Sequence, residues 1–282
     1  MIKKITFLFC FFPFLMVAQD DLLKEIDSVA INESVVSAFK SLKIVNLEST
    51  KLASKGDLYF VVSHRFGYFD KGFEDFFGLD EANTRLQFVY GLTKGVSVHV
   101  SRSGFQKAYE FAAKYRLVSQ KTTGSPFEIV GFNSLAINTE LEKEVLPKLE
   151  FSDRLAYVNQ ILISRKFNEK LSLEMAPTYF HENYVANNSQ DNSQFALGFG
   201  GRYKFTKRWS FNMDYAAHLN RASNSAFKNP LSIGFDLETG GHVFQMHFTN
   251  SQAMHESGFL GNTAGSWSEG QIAFGFNLIR VF

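Results

Sequence analysis

The stretch QIAFGFNLIRVF, residues 271–282, ends the chain and decides the predicted fold. Side chains on a β-strand alternate between two faces, so every second residue lies on the same face. One face is bulky and mostly apolar, and it comprises Ile272, Phe274, Phe276, Leu278, Arg280 and Phe282. The other face is small or polar over most of its length. This pattern, ending on an aromatic residue, is typical of the closing strand of a bacterial outer-membrane β-barrel.

The composition suits such a barrel. Aromatic residues make up 16% of the chain, and phenylalanine alone contributes 32 of the 282 residues. A soluble core needs fewer aromatic side chains than a lipid-facing surface with aromatic girdles. The mean hydropathy of −0.10 argues against a helical membrane protein, whereas each strand of a barrel is only half apolar. The formal net charge of +1 gives no basic surplus, so we expect no nucleic acid partner.

Residues 1–18 have the pattern of a cleaved secretory signal peptide. Lys3 and Lys4 precede an almost unbroken apolar run over residues 5–17, and Ala18-Gln19 offers a small-residue cleavage point. The run is shorter than the roughly 20 residues of a membrane-spanning helix. Cys10 is the only cysteine and lies inside this segment. We therefore expect a mature protein without a thiol, a disulfide or a cysteine metal site.

Residues 19–56 form a separate N-terminal segment, either a periplasmic arm or a plug that enters the barrel. A helical face is predicted behind Asp20 and Asp21 as caps, with Val35, Val36 and Phe39 as its continuation. That face comprises Leu22, Leu23, Ile26, Val29 and Ala30. Of the two readings, a short helix packed at the periplasmic mouth is favoured over a plug.

Residues 57–282 show a hydrophobic period of two and predict an all-β, antiparallel, up-and-down transmembrane barrel of about twelve strands. The predicted strands are 57–67, 84–92, 96–103, 108–119, 126–138, 153–167, 171–181, 194–205, 209–219, 230–238, 242–250 and 271–282. The first, fifth and sixth alternate least regularly. The alternative fold, a soluble β-sandwich, would leave many outward aromatic residues in exposed patches.

The links between the strands support a barrel. Tight turns such as Thr93-Lys94-Gly95 alternate with longer links along most of the chain, although 104–107 and 120–125 deviate. Outer-membrane barrels have short periplasmic turns and longer outer loops. Both ends of the barrel domain are therefore expected on the periplasmic side.

Ten charged or histidine residues are predicted to face the lumen. They are Glu110, Lys114, Arg116, Glu174, Arg202, Lys204, Asp214, Asp236, Glu238 and His247. Both signs of charge are present, which fits a polar pore that orients a hydrated solute. It fits equally a salt-bridged filling that carries nothing, because twelve strands lie between small filled barrels and open porins.

No catalytic, cofactor or metal site is predicted. His242 and His247 lie an odd number of residues apart, on opposite faces of one strand, and His255 lies in a loop. His247 with Ser251 and Asn250 provides the residue types of a lipid hydrolase, but sequence proximity does not place a nucleophile and its base in contact. The glycine cluster at Gly198, Gly200 and Gly201 is interpreted as relief of crowding or a bend in the wall.

A set of short motifs resembles an uncharacterised family of bacteroidete-type outer-membrane β-barrel proteins, a domain of unknown function. The motifs are His64-Arg65-Phe66-Gly67, Phe77-Gly78-Leu79-Asp80 with Asn83, Tyr90-Gly91-Leu92, Ser101-Arg102-Ser103, Lys114-Tyr115-Arg116-Leu117 with Gln120, and Gly275-Phe276-Asn277 with Arg280 and Phe282. The resemblance implies a barrel in the outer membrane. It also implies that Phe274, Phe276, Leu278 and Phe282 form the terminal signal read by the barrel-assembly machinery.

The sequence thus leaves three functions open. The first is a narrow channel or porin-like transporter of a small polar solute, without catalytic turnover. The second is a non-transporting structural or partner-binding component of the outer membrane, with Phe73, Phe76 and Phe77 as its candidate contact patch. The third, less favoured, is an outer-membrane lipid hydrolase. Expected partners are outer-membrane lipid, the assembly machinery and, for the first function, the solute.

Overall fold

A closed antiparallel barrel of twelve strands dominates the computed structural model, which describes residues 35, 37–187 and 189–282. The strands are β1 Leu58–Tyr68, β2 Ala82–Thr93, β3 Val96–Ser103, β4 Tyr109–Val118, β5 Glu128–Ile137, β6 Leu155–Lys166, β7 Leu171–Glu182, β8 Ser193–Lys204, β9 Trp209–His218, β10 Leu231–Thr239, β11 His242–Thr249 and β12 Ala273–Val281. Each pairs with its neighbours in sequence, and β1 pairs with β12. The predicted fold class, strand number and approximate strand limits are confirmed.

The closing pair has the register that the terminal stretch requires. Tyr59 lies opposite Val281 and Arg65 opposite Gly275, with one irregularity between Arg65 and Tyr68. Phe282 continues the pairing, because its amide donates to the carbonyl of Leu58 at 2.9 Å. No strand edge is left open, so backbone groups at membrane depth are paired within the sheet.

The two faces of the wall differ as predicted. Most inward residues are polar or small and buried, with a few buried apolar residues such as Phe132 and Phe180 among them, whereas the exposed aromatic and aliphatic residues of the strands point outward. The outward set includes Leu86, Phe88, Tyr90, Val98, Val100, Phe111, Leu173, Met175, Phe195, Phe199, Met213, Phe235, Phe244, Met246 and Phe248. Such an outer band is the surface that lipid covers in a membrane barrel.

The lumen is filled by residues 37–54, hereafter the plug. The plug enters at the end of the barrel that carries the short turns, where the Val35 amide donates to the Gln120 carbonyl at 2.9 Å. It reverses in a hairpin-like turn with an isolated bridge between Lys43 and Glu48. It then returns to the same end and leads into β1. Most of its side chains are buried.

A second segment closes the lumen from the opposite end, which carries the longer loops. The link between β11 and β12 folds inward and contains the short helix α1, Glu256–Gly261, whose residues are all buried. Arg221 lies in the link between β9 and β10 and donates to the carbonyls of Leu260 and Gly261 at 3.0 and 3.1 Å. These bonds hold the end of α1 against that link. The plug and α1 meet inside the barrel.

The N-terminal predictions are only partly covered by the described residues. The signal peptide and the helical face at residues 20–30 lie outside them. Phe39 is not helical, and residues 37–56 consist of bends, turns and irregular chain. The predicted continuation of the helix to Phe39 is therefore wrong. Phe39 is buried with Ala38 and Ile44 inside the barrel instead.

Candidate functional site: a plugged lumen

The tip of the plug binds a carboxylate of the wall. One oxygen of Asp214, Oδ2, accepts the backbone N–H groups of Val45, Asn46 and Leu47 at 3.0, 2.6 and 2.9 Å. Successive N–H groups that converge in a tight turn form a concave binding site for an anion. The Asp214 carboxylate on β9 is therefore the binding partner of the turn of the plug.

The side chain of Asn46 extends this contact to three further strands. Its amide nitrogen donates to Ser232 Oγ and Thr249 Oγ1 at 3.0 and 3.1 Å. Its oxygen accepts from Arg65 Nη2 at 3.0 Å. Each partner is buried. The side chain of Asn46 therefore joins the plug to β1, β10 and β11 through both its donor and its acceptor atoms.

A cluster of charges joins the plug to the wall and to α1. Lys43 Nζ lies 2.9 Å from Glu48 Oε1 and 2.6 Å from Glu256 Oε1. Glu48 Oε2 lies 2.6 Å from Lys114 Nζ on β4. All four side chains are buried. Lys43 thus links the plug directly to the inward-folded loop.

The same lysine of the wall also binds the backbone of the plug. Lys114 Nζ donates to the carbonyls of Leu42, Ser49 and Lys51 at 3.2, 2.9 and 3.2 Å. In the returning part of the plug, the Thr50 amide donates to Glu174 Oε2 on β7 at 2.9 Å. These wall groups are therefore paired with the plug.

The ionisation of this cluster follows from its surroundings. Burial raises the pKa of Glu48, but the nearby Lys114 and Lys43 outweigh it and hold that pKa well below its usual range. Burial raises the pKa of Glu256 to about 8, and Glu110 and Glu48 add to this effect against the attraction of Lys43. The Glu48 carboxylate of the plug is therefore charged at neutral pH, whereas the carboxyl group of Glu256 titrates close to neutral pH.

Apolar contacts surround the polar ones. Leu47 packs against Phe180 and Phe259, and Leu52 packs against Phe132 and Leu162. These inward apolar residues of the wall contact the plug, which gives the barrel a small internal core.

Two wall glycines make room for the plug. A Cβ at Gly200 would lie 2.3 Å from Ile44 Cδ1, and a Cβ at Gly91 would lie 1.8 Å from the Ser54 carbonyl oxygen. Glycine within a strand often marks a close approach of another chain segment. The predicted relief of crowding by the glycine cluster thus has a specific source at Gly200, the plug itself.

The ten predicted lumen residues all lie on inward-facing positions, in two groups. Buried deep in the lumen are Glu110, Lys114, Glu174, Arg202, Asp214, Asp236 and His247. Nearer the turn end, partly open to solvent, are Arg116, Lys204 and Glu238. Arg116 Nε pairs with Glu128 Oε1 at 3.1 Å, and Glu238 pairs with Arg202 and with Lys204 at 3.7 Å.

The sequence does not indicate several of the functional side chains. Lys43 and Glu48 give no signal because the plug has no strand period, and Glu256 gives none because it lies in a loop. Arg65 and Arg85 lie on inward positions, and Arg85 Nη2 pairs with Glu110 Oε2 at 2.5 Å. The strand parity on β1 and β2 was the signal that could have found these two arginines.

The residues considered for catalysis do not assemble. Ser251 Oγ donates to the Ala253 carbonyl at 3.3 Å, and Asn250 donates to the carbonyls of Asn229 and Gly265. Among the described residues, neither ring nitrogen of His247 has a hydrogen-bond partner. In the same part of the chain, no three histidine, cysteine, aspartate or glutamate side chains are grouped as metal ligands.

Solved structures with a similar fold include outer-membrane porins and channels. The NanC porin has a TM-score of 0.50 at 10% identity, covering 79% of this chain and 98% of that chain. The KdgM porin has a TM-score of 0.48 at 10% identity, with 80% and 99% covered. An outer-membrane channel from Pseudomonas putida F1 has a TM-score of 0.47 at 11% identity, with 82% and 97% covered. At 10% identity the likeness to the NanC porin shows the fold alone.

The sequence matches the family described as membrane bound beta barrel domain, DUF5777, over residues 39–282. The chain belongs to this family. The DUF5777 match begins at Phe39 and so includes most of the plug together with all twelve strands. The predicted membership of an uncharacterised barrel family is thereby confirmed, and the plug is part of the DUF5777 domain.

No curated protein matches this DUF5777 chain. Across residues 35, 37–187 and 189–282, none of the helices has both the length and the apolar character needed to cross a membrane.

Proposed function

We propose that this protein is an outer-membrane channel for a small polar solute, closed by its own N-terminal plug and without catalytic turnover. The observation that carries the proposal is the pairing of the wall with the plug. Asp214, Lys114 and Glu174 bind backbone groups of the plug, and water can replace such contacts. Withdrawal of the plug would leave a lumen lined by hydrated groups of both signs.

The cellular setting completes the proposal. The signal peptide, residues 1–18, would be cleaved on export, and the assembly machinery would read the terminal strand before the barrel enters the outer membrane. Because outer-membrane barrels have short periplasmic turns and longer outer loops, the end of the barrel that carries the short turns would face the periplasm. The plug then enters from the periplasm and α1 lies on the outer side, where Glu256 pairs with Lys43 of the plug and Phe259 packs with Leu47. Withdrawal of the plug would remove these contacts and would therefore also release α1 from the lumen.

The test is planar-bilayer recording of purified protein. We expect rare openings from the full chain and a large steady conductance from a variant that lacks residues 37–54. A synthetic peptide of residues 35–56, added on the turn side, should restore the block, and a scrambled peptide of the same composition is the matched control. If the deletion variant folds, as judged by heat-modifiable gel mobility, and conducts no more than the full chain, the proposal is overturned.

A second function is favoured by a specific feature of the first outer loop. Phe73 is 85% exposed, Phe76 and Phe77 are also exposed, and the rings of Phe73 and Phe77 meet edge to face at 4.7 Å. With a closed lumen, such a patch suits a partner-binding component that transports nothing. A folded plug-deletion variant without conductance would favour this second function.

A further inference from the structure

We propose that a cavity among the outer loops is a binding site for a short neutral saccharide. The cavity has a volume of about 370 Å³, which lies within the usual range of small-molecule sites. The links after β3, β5, β7 and β9 form its walls. Its floor is the outer side of α1 with Ser257, Gly261 and Asn262.

The lining has polar groups with unused hydrogen-bonding capacity. The Asn262 amide nitrogen donates to Glu182 Oε1 at 2.9 Å, which fixes the orientation of its oxygen. Among the described residues, the oxygen of Asn262, the amide nitrogen of Asn138 and the hydroxyl of Tyr184 make no hydrogen bond. Donors and acceptors are thus both available, as a ligand hydroxyl requires.

The neighbouring turn holds its backbone in an unusual conformation. Gln106 lines the cavity and has a φ of 55°, and Lys107 beside it has a φ of 42°. Non-glycine residues in the left-handed region are uncommon, and they cluster at sites that hold ligands. The turn is held by its own contacts, with the Gln106 carbonyl accepting from the Glu140 amide at 3.2 Å.

The charges and rings of the lining narrow the ligand class. The lining contains three carboxyl side chains, Glu140, Asp153 and Glu182, one guanidinium, Arg154, and no lysine. Arg221 adds one positive charge behind the floor, where it donates to the Gly261 carbonyl. An anionic ligand would meet a net negative field. Aromatic rings at Phe105, Tyr184 and Phe227 offer flat apolar surfaces beside the amides. Hydroxyl-binding amides next to aromatic faces favour a neutral sugar.

The site also lies directly above the plug. The inner side of α1 carries Glu256, which pairs with Lys43 of the plug, and Phe259, which packs with Leu47. Binding to the outer side of α1 requires no movement of the plug. The saccharide site therefore stands independently of the proposed channel.

The experiment is titration calorimetry on the purified full chain in detergent. The probes are glucose, maltose and maltotriose, with glucuronate as the anionic relative of glucose. We expect the neutral sugars to bind with a Kd of about 1 mM or lower, more tightly as length increases, and glucuronate to bind at least about tenfold more weakly than glucose. Binding of glucuronate as tight as that of glucose would overturn the exclusion of anionic sugars, and no heat from any neutral sugar would overturn the site.

Matched variants locate the site. Tyr184→Ala removes a ring from the cavity, and Phe73→Ala removes an exposed ring from another outer loop. We expect Tyr184→Ala to weaken maltotriose binding about tenfold or more and Phe73→Ala to leave it unchanged. Tyr184→Phe keeps the ring and should retain most of the affinity. Equal effects of the two alanine variants, with heat-modifiable mobility intact in both, would contradict this location.

Discussion

At the scale of single residues, Lys43 is the side chain on which docking of the plug depends most. It contacts Glu48, Glu256 and the Asn46 carbonyl, the last at 3.0 Å, and it is almost fully buried. Removing Lys43 would leave Glu48 with Lys114 alone and Glu256 without a cation in salt-bridge contact among the described residues, and breaking a buried ion pair by removing one partner costs roughly 3–5 kcal/mol. Here that cost falls on the closed state, because water reaches the carboxylates once the plug leaves.

We therefore predict that Lys43→Met raises the open probability in bilayer recordings by at least about a hundredfold. Lys40→Met is the matched control, because Lys40 belongs to the same segment but is exposed. It should behave as the unmodified protein does. Equal effects of both substitutions would show that the buried charge cluster does not hold the plug.

Glu256 predicts a dependence on pH. The pKa of Glu256 is raised to about 8 when docked, against an ordinary value of 4.5. The docked state therefore binds this proton more tightly, and its stability relative to the open state falls as pH rises from about 4.5 to about 8 and levels off above that. His255 has its pKa lowered to about 4 by burial and stays neutral above pH 6. We expect the open probability to rise from pH 6 to 8, by at most about tenfold per pH unit, and to level off above pH 8.

The control for this prediction is Glu256→Gln, which keeps an oxygen for Lys43 but does not ionise. Its open probability should be flat over the same interval. A rise as steep as that of the unmodified protein would assign the pH dependence to another group.

At the scale of elements, each strand must keep its outward face apolar. Phe235 points outward on β10, whereas Asp236 points inward and its Oδ1 accepts from Gln245 Nε2 at 2.9 Å. Phe235→Arg should destabilise the inserted barrel by roughly 2–4 kcal/mol if it lies near the midplane. Asp236→Asn keeps an accepting oxygen and should leave folding nearly unchanged. Urea unfolding in lipid vesicles measures both, and equal damage would contradict the assigned faces.

The terminal strand makes a second prediction at this scale. Phe282 exchanges backbone hydrogen bonds with Leu58, and Val281 lies opposite Tyr59. Deleting Val281 and Phe282 removes little apolar area but shortens the closing pair and the terminal signal. We expect the truncated chain to be exported and then degraded without assembly. Outer-membrane fractions should lack its heat-modifiable band, and a band at normal level would contradict the role of this strand.

The sequence predicts the strands of the barrel wall well, but it predicts poorly the segments that fill the lumen. Strand limits, faces and closure follow from local alternation, which residues such as Phe244, Gln245 and Met246 show directly. The fifth and sixth strands alternate least because inward Phe132 and Leu162 are apolar, and they are apolar because they contact the plug. Where a second segment packs inside a barrel, the polar inward face is replaced locally by core.

The site itself could be predicted only from the wall side. The alternation of the strands places Asp214, Lys114 and Glu174 on the inward face. Their partners are backbone groups of the plug, a segment that has no hydrophobic period. The contact between Lys43 and Glu256 joins positions that are 213 residues apart. No local pattern specifies such a pair, and for that reason the sequence alone favours an arm at the mouth, whereas residues 37–54 lie inside the barrel.

At the scale of the whole molecule, the barrel is a porin-like wall closed from both ends by its own chain. The central claim is that the plug must leave for solute to pass. The mature chain is predicted to contain no cysteine, since Cys10 lies in the signal, so an engineered pair can be tested without interference. Position 200 of the wall lies against Ile44 of the plug, because a Cβ there would lie 3.5 and 3.6 Å from Ile44 Cγ1 and Cγ2. A cysteine at each of these positions is therefore the chosen pair for a disulfide between plug and wall.

The most direct measurement is therefore bilayer recording of the double variant Ile44→Cys/Gly200→Cys before and after dithiothreitol. We predict a silent protein while the disulfide is intact and openings like those of the unmodified chain after reduction, with each single-cysteine variant insensitive to the reductant. Openings of the oxidised, cross-linked protein at the frequency of the unmodified chain would contradict the claim that the plug gates the lumen.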